Sequence, residues 1–277
     1  MQTLAQIREL LDSHGLAPKK SLGQNFLIDH NLIRKLVDAS GVKAGDLVLE
    51  VGPGTGTLTE ELLSRGCEVI ACELDTGLAA MNRERLGGHP EYGSRFTLIE
   101  GDCLESKRLL SAEVRAALRG RSFSLVANLP YGAATPLMLT LLIDHPECRS
   151  MHVTIQREVA ERLLARVGDD AYGQISVVSD AAARVAKIAT LPRECFWPRP
   201  DVTSAMVSLV RRDEPLAPDL GSLATFAQRA FNQRRKQLGS ILGREILWPQ
   251  GISPTMRAEE LDTERFVSLW RVAGNTT

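Results

Sequence analysis

Asn128-Leu-Pro-Tyr131 puts a side-chain amide, a rigid proline and a flat phenol within four positions. Ser124-Leu-Val-Ala-Asn128 reads as a short strand, so these residues fall at its end, where an open α/β sheet presents its reactive groups. The amide oxygen and a backbone carbonyl beside the proline can accept both hydrogens of an exocyclic amine. That draws the nitrogen toward a tetrahedral shape and frees a lone pair otherwise delocalised into a purine ring. Tyr131 offers a face for base stacking, worth roughly 1–3 kcal/mol per base. Together these groups suit alkylation of a nucleobase amine, a reaction helped mostly by alignment and charge placement and needing no strong general base. The competing reading of the four residues is a proline turn with a buried tyrosine.

A second constellation is Glu50-Val-Gly-Pro-Gly-Thr-Gly56. Leu47, Val48, Leu49 and Val51 form a strand-like run, and Leu58–Leu63 begins a helix whose N-terminus faces the turn. The three glycines remove every Cβ from the turn and let the backbone approach a ligand closely. Their spacing is not that of dinucleotide enzymes, and no Gly-Lys-Ser/Thr follows to make a phosphate loop. Glu50 would repel a pyrophosphate. The motif points instead to a cationic, amino-acid-bearing nucleoside, S-adenosylmethionine, with Gly52 lining the turn; a tight turn without a ligand is the alternative. Glu73 ends the next strand, Glu68–Asp75, and an acid about 20 positions beyond such glycines accepts hydrogen bonds from ribose hydroxyls. Asp102 ends a third strand, Phe96–Asp102, where it can accept from the exocyclic amine of the bound nucleoside.

Near the N-terminus Leu4, Ile7, Leu10 and Leu11 mark an amphipathic helix stopped near Gly15 and Pro18. Lys19–Leu27 lacks either periodicity and reads equally as a binding loop or a lysine-tipped surface loop. Asp29 is placed to cap a helix through Leu32–Val37. Further strands are expected at Val153–Ile155, Gln174–Val178 and Ala205–Val210, with a helix over Glu158–Arg166. Strands alternating with helices imply a Rossmann-like, mostly parallel sheet. The polar, proline-bearing stretch Arg211–Ser222 reads as a linker. The expected division is therefore an α/β domain over 1–212 and a small all-helical domain over 213–277, carried by Leu223–Phe231 and Leu261–Trp270.

The formal net charge is −1 over 277 residues. That argues against a protein holding nucleic acid by bulk charge and leaves local patches to do so. The five cysteines are scattered, which argues against a disulfide scaffold or zinc site. No apolar run approaches the length of a membrane span and no signal region is evident, so a cytoplasmic protein without membrane attachment is expected. No metal is implied, and a monomer is expected.

Leu22-Gly-Gln-Asn-Phe-Leu27, the glycine motif, Asn128-Leu-Pro-Tyr131, Gln156-Arg-Glu-Val-Ala-Glu-Arg162, Phe196-Trp-Pro-Arg-Pro200 and Arg234-Arg-Lys-Gln-Leu238 occur in this order. The set resembles the small-subunit ribosomal RNA adenine N6,N6-dimethyltransferases, the kasugamycin-sensitivity enzymes, more than the large-subunit enzymes that share its first motifs. The resemblance implies a class I methyltransferase fold with a small helical C-terminal domain. It also implies four methyl transfers to N6 of two adjacent adenines near the 3′ end of small-subunit RNA, during subunit assembly. Asn25 and Leu27 would contact the methionine end of the cofactor; Asn128, Leu129, Pro130, Tyr131 and Phe196 would form the catalytic group, with Asn128 also touching the cofactor. Lys19, Lys20, Arg234, Arg235 and Lys236 are the expected RNA contacts. Gly132 and Asp201 depart from the family, which commonly has asparagine and lysine there; Asp201 removes a phosphate contact. An assembly factor whose docking matters more than methylation is the second reading, and a small-molecule methyltransferase the third.

Overall fold

The structure, a computed structural model, describes residues 2–106 and 108–273. Its central sheet is built from β1 (Leu47–Val51), β2 (Glu68–Glu73), β3 (Phe96–Glu100), β4 (Phe123–Asn128), β5 (Cys148–Gln156), β6 (Ala183–Leu191) and β7 (Ser204–Arg211). Their order is β3-β2-β1-β4-β5-β7-β6. The first five run parallel. All five residues of β1 are buried, which is why this strand reads as an apolar run broken only by Glu50. Successive strands are added outward on one side of β1 and then, from β4, on the other. The crevice where this order reverses, beyond the carboxyl ends of β1 and β4, is where open α/β sheets bind ligands.

The helices that frame the sheet carry the local signals the sequence shows. Thr3 caps α1 (Leu4–Ser13) in a reciprocal arrangement with Gln6. Asp29 caps α2 (His30–Ser40) by accepting from the N–H groups of Asn31 at 2.9 Å and Leu32 at 3.1 Å. The glycine turn leads into α3 (Thr57–Ser64), Asp75 caps α4 (Thr76–Asn82), and Ser111 caps α5 (Ala112–Leu118). Between Lys19 and Leu27 lies one 3₁₀ turn, Lys20–Leu22, and then a two-residue ladder in which Phe26 pairs with Trp197 and Leu27 with Phe196. The loop is thus stitched to a segment far along the chain.

Two expectations need correction. Gln174–Val178 is not a strand but the start of α8 (Gln174–Ala182), which follows α6 (Ala134–Asp144) and α7 (Arg157–Leu164) in the chain. Ser176 holds its entry, its hydroxyl accepting from the Gly173 N–H at 3.1 Å and donating to the Arg162 carbonyl at 2.6 Å. Val177, Val178 and Ala181 are fully buried, so packing overrides the β-preference of the two valines. The edge strand β6, which the sequence pattern does not announce, comes directly after this helix.

The compact units also divide elsewhere than at 212/213. One comprises Met1–Thr140, Glu147–Arg157 and Lys187–Ser208; the other comprises Leu141–Pro146, Glu158–Ala186 and Leu209–Thr277. The second is helical in its C-terminal part: α9 (Leu220–Phe231), α10 (Leu238–Leu242) and α11 (Thr263–Ala273). Phe266 contacts Phe226 and Phe231 with ring centroids 5.5 and 5.6 Å apart. Tyr172 packs edge-on against Phe231, and its hydroxyl donates to the Leu261 carbonyl at 2.9 Å. This aromatic cluster recruits the middle of the chain into the helical unit.

Candidate active site at the strand ends

One cavity in the first unit is lined by Asn25, Leu27, Gly52, Glu73, Asp102, Asn128, Leu129, Pro130, Tyr131 and Phe196, every catalytic and cofactor residue expected from the sequence. Gly52 follows β1, Glu73 ends β2, Asp102 lies two residues beyond β3 and Asn128 ends β4. Parallel strands of one sheet bring these four positions to a single edge.

The glycine turn is packed closely against two other segments of the chain. Gly52 (φ 72°) and Gly54 (φ 58°) occupy the left-handed region. A Cβ on Gly54 would lie 2.8 Å from the Phe26 ring, and one on Gly52 would lie 3.2 Å from Cγ of Pro130. The glycine motif therefore seats both the Leu22–Leu27 loop and the Asn-Leu-Pro-Tyr turn. Its outer side is held by Asn82, whose Nδ2 donates to the Gly54 carbonyl at 2.7 Å, and by Arg85, whose Nη2 donates to the Thr55 carbonyl at 2.7 Å.

Glu73 is 5% exposed. Its Oε2 accepts from the Gly54 N–H at 3.0 Å and its Oε1 from the Asp75 N–H at 2.9 Å. Burial raises its pKa, and these backbone donors partly oppose that. Each oxygen keeps acceptor capacity for a vicinal hydroxyl pair. Asp102 is exposed; its Oδ1 accepts from the Leu104 N–H at 2.9 Å, and among the described residues no hydrogen bond engages Oδ2.

At the end of β4 the amide of Asn128 has a defined orientation. Its Nδ2 donates to the Asn25 carbonyl at 3.0 Å, and among the described residues no hydrogen bond engages Oδ1. The Leu129 N–H donates to the Thr154 carbonyl and the Pro130 carbonyl accepts from the Ala133 N–H, each at 3.1 Å. Among the described residues no hydrogen bond claims the Leu129 carbonyl, so this is the backbone acceptor beside the proline. The Tyr131 hydroxyl is 3.1 Å from Oγ of Ser204, which is fully buried, and this contact fixes the ring. Phe196 is brought to the same cavity by its pairing with Leu27.

Glu50 lines the cavity too, and the sequence does not reveal its state. It is 1% exposed, with Oε2 accepting from the Thr59 hydroxyl at 2.7 Å. Burial pushes its pKa from the ordinary 4.5 up to about 8, the Thr59 bond opposes this, and the Glu73 charge adds to it. Folding thus favours the protonated form. The stabilisation is complete below the unfolded value and is lost as pH rises toward the folded value of about 8. Ligand-free protein is expected to lose stability through this interval by up to about 1.4 kcal/mol per pH unit from this group. Urea midpoints measured across the interval check this: Glu50→Gln should flatten the decline, and an unchanged slope would reject the assignment.

The five expected RNA contacts are not equivalent. Lys19 forms an ion pair with buried Asp75 at 2.9 Å, so the charge expected to meet phosphate is already met within the chain. Lys20 is exposed. Arg234, Arg235 and Lys236 sit in the turn between α9 and α10, with Arg234 paired to Glu259 and donating to the Asp170 carbonyl at 2.7 Å. Arg235 and Lys236 are exposed. The sequence pattern assigns no site role to Asp75 or Gln24; the signal it carries for Asp75 is an N-cap position before Thr76-Gly-Leu-Ala-Ala80.

A family model described as "Ribosomal RNA adenine dimethylase" matches residues 15–273. A curated relative named "Ribosomal RNA small subunit methyltransferase A" from Streptomyces avermitilis is 40% identical, with 98% of this chain and 92% of that protein covered. One of the same name from Moorella thermoacetica is 39% identical, with 98% and 96% covered. Among solved structures, a dimethyladenosine transferase from Plasmodium falciparum shares the fold with a TM-score of 0.73 at 23% identity, covering 88% of this chain and 95% of that one. The 23S rRNA methyltransferase ErmE aligns with a TM-score of 0.67 at 25% identity, covering 89% and 98%.

Proposed function

Because the chain belongs to the ribosomal RNA adenine dimethylase family, we propose that it methylates N6 of two adjacent adenines near the 3′ end of small-subunit RNA. Four methyl groups from S-adenosylmethionine are transferred in all, during assembly of the subunit. The observation that carries this reading is the Asn128 amide, held by the Asn25 carbonyl with its oxygen free at the end of β4.

The cavity fits the cofactor in its donor set. It offers a hydrogen-bonded carboxylate for two hydroxyls (Glu73), a second carboxylate for an exocyclic amine (Asp102), and a turn of glycines with no phosphate-binding lysine. Asn25 and Leu27 hold the methionine end, and Gly52 lines the turn. Bound there, S-adenosylmethionine supplies an electrophilic methyl group on a sulfonium. For the first transfer to each adenine, Asn128 Oδ1 and the Leu129 carbonyl accept the two hydrogens of the target amine and free its lone pair; for the second, one hydrogen remains and one of the two acceptors takes it. Pro130 keeps the two acceptors in register, Tyr131 stacks on the flipped-out base, and Phe196 covers the other face. The departing proton passes to solvent.

Lys20, Arg235 and Lys236 are the exposed cations assigned to RNA, with Arg234 bracing its own turn; structured RNA is read largely by shape and backbone contacts. Among the described residues no helix is long and apolar enough to cross a membrane. A ribosomal RNA substrate is consistent with action in the cytoplasm.

Tyr131→Ala is expected to slow transfer roughly 5- to 150-fold, the equivalent of one lost stacking interaction, with cofactor affinity retained. Tyr131→Phe, which keeps the face and loses only the Ser204 contact, should stay within a few-fold of wild type. Single-turnover rates beside calorimetric cofactor titration test both, and a wild-type rate for the alanine variant would remove Tyr131 from the mechanism.

The reading as a whole is tested with purified protein, methyl-labelled S-adenosylmethionine and immature small subunits from cells lacking the activity. N6,N6-dimethyladenosine in the digested RNA supports it. Label appearing in large-subunit RNA, or binding without transfer, would count against it, the latter favouring an assembly factor.

A further inference from the structure

Asp75 gathers more of the site than a helix cap requires. Its Oδ1 accepts from the N–H groups of Gly77 at 3.0 Å and Leu78 at 3.3 Å, capping α4. Its Oδ2 accepts from Gln24 Nε2 and from Lys19 Nζ, both at 2.9 Å. Its own N–H donates to Glu73 Oε1. The carboxylate side chain is 2% exposed whereas Lys19 is 49% exposed, so the lysine closes the outer side of a buried acceptor. Gln24 completes a ring, its Oε1 accepting from the Lys19 N–H at 2.7 Å.

The next residue after Gln24 is Asn25, whose carbonyl fixes the Asn128 amide. An unbroken series therefore runs from Glu73 through Asp75, Gln24 and Asn25 to Asn128. At one end stands the carboxylate assigned to the cofactor ribose, at the other the acceptor assigned to the target amine. Burial would raise the pKa of Asp75, yet the Lys19 and Gln24 hydrogen bonds outweigh it and keep the group below the ordinary aspartate range.

We propose that Lys19, Gln24 and Asp75 form a latch that positions the Leu22–Leu27 loop against the cofactor cavity and, through the Asn25 carbonyl, sets the orientation of Asn128. Lys19 is in this view a positioning residue and not a phosphate contact. The inference rests on the methyltransferase reading above for the identity of the ligand, but the latch itself is a statement about this chain's hydrogen bonds.

Lys19→Met tests it and makes no cavity, because the side chain is half-exposed, and it leaves Asp75 the donors Gln24, Gly77 and Leu78. Since it also strips a buried carboxylate of its counter-charge, unfolding curves accompany it, with Lys19→Arg and Lys20→Met as companions. Calorimetry with S-adenosylmethionine and no RNA should show Lys19→Met weakened on the order of tenfold, the scale of one hydrogen bond to a charged group. Lys19→Arg should recover most of the loss. Turnover of Lys19→Met should also fall at saturating cofactor and RNA, because Asn25 no longer holds Asn128. Its RNA affinity should keep the wild-type dependence on salt, whereas Lys20→Met should lower that slope by about 1. Wild-type cofactor affinity in Lys19→Met, with or without a lowered salt slope, would overturn the latch. Failure of the wild-type protein to bind S-adenosylmethionine at all would instead reject the proposed function, so the two failures are distinguishable.

Discussion

Asn128→Ala is expected to lower turnover by roughly 10²–10³-fold, the usual consequence of removing one preorganised polar group aimed at the reacting centre. Oδ1 is one of only two acceptors the turn supplies to the amine, and its position is set before substrate arrives, by the Nδ2 bond to the Asn25 carbonyl. Alanine removes both the acceptor and that bond, so the target nitrogen keeps its planar, delocalised form. Asn128→Asp is the sharper test. It retains acceptor oxygens but places one of them against the Asn25 carbonyl, an acceptor facing an acceptor, and so should recover little of the rate. Single-turnover methylation of immature subunits measures both. Rates within a few-fold of wild type for the alanine variant would end the assignment of Asn128 to the amine.

Glu73→Ala carries the second large effect, this time on binding. Hydrogen bonds to charged groups contribute about 1.5–3 kcal/mol each, and the carboxylate is assigned to two ribose hydroxyls. Cofactor affinity should therefore fall roughly 10²-fold or more. A separate cost appears in the free protein. The N–H groups of Gly54 and Asp75 both donate to this carboxylate, and alanine leaves two buried donors unpaired. Glu73→Gln does not restore both, since an amide has one acceptor end. Titration calorimetry gives the affinity, and unfolding curves with and without S-adenosylmethionine separate the two effects. Wild-type protein should gain stability from the cofactor by mass action, and the variant should lose that gain. A full cofactor-induced rise in the variant would show that Glu73 does not hold the ligand.

The alignment of the site was legible because each of its main residues ends a short apolar run. Leu47–Val51, Glu68–Glu73, Phe96–Glu100 and Phe123–Asn128 all become strands of one parallel sheet. Once strands are parallel, their carboxyl ends share an edge whatever lies between them. Gly52, Glu73, Asp102 and Asn128 are therefore placed together by the strand ends, the glycine motif and the spacing of about 20 residues from the glycines to Glu73. Phe196, Asn25 and Leu27 were reached only through the family resemblance, and their meeting rests on a two-residue ladder too short to leave a periodic signal.

The parallel sheet, the glycine turn, the acidic residues at the strand ends and the amide-proline-tyrosine turn are all legible in the residues alone. Local backbone geometry and strand burial are written in near neighbours, and near neighbours are what a sequence displays. Only the tertiary structure decided that Lys19 faces a buried aspartate, that Asn128 points its amide nitrogen at Asn25, and that Glu50 is enclosed enough to hold its proton near neutral pH. It likewise made a helix of Gln174–Ala182, where two valines suggested a strand. Each of these depends on which distant group fills the space beside a side chain. Charge pairing, amide orientation and desolvation are set at that distance, through packing.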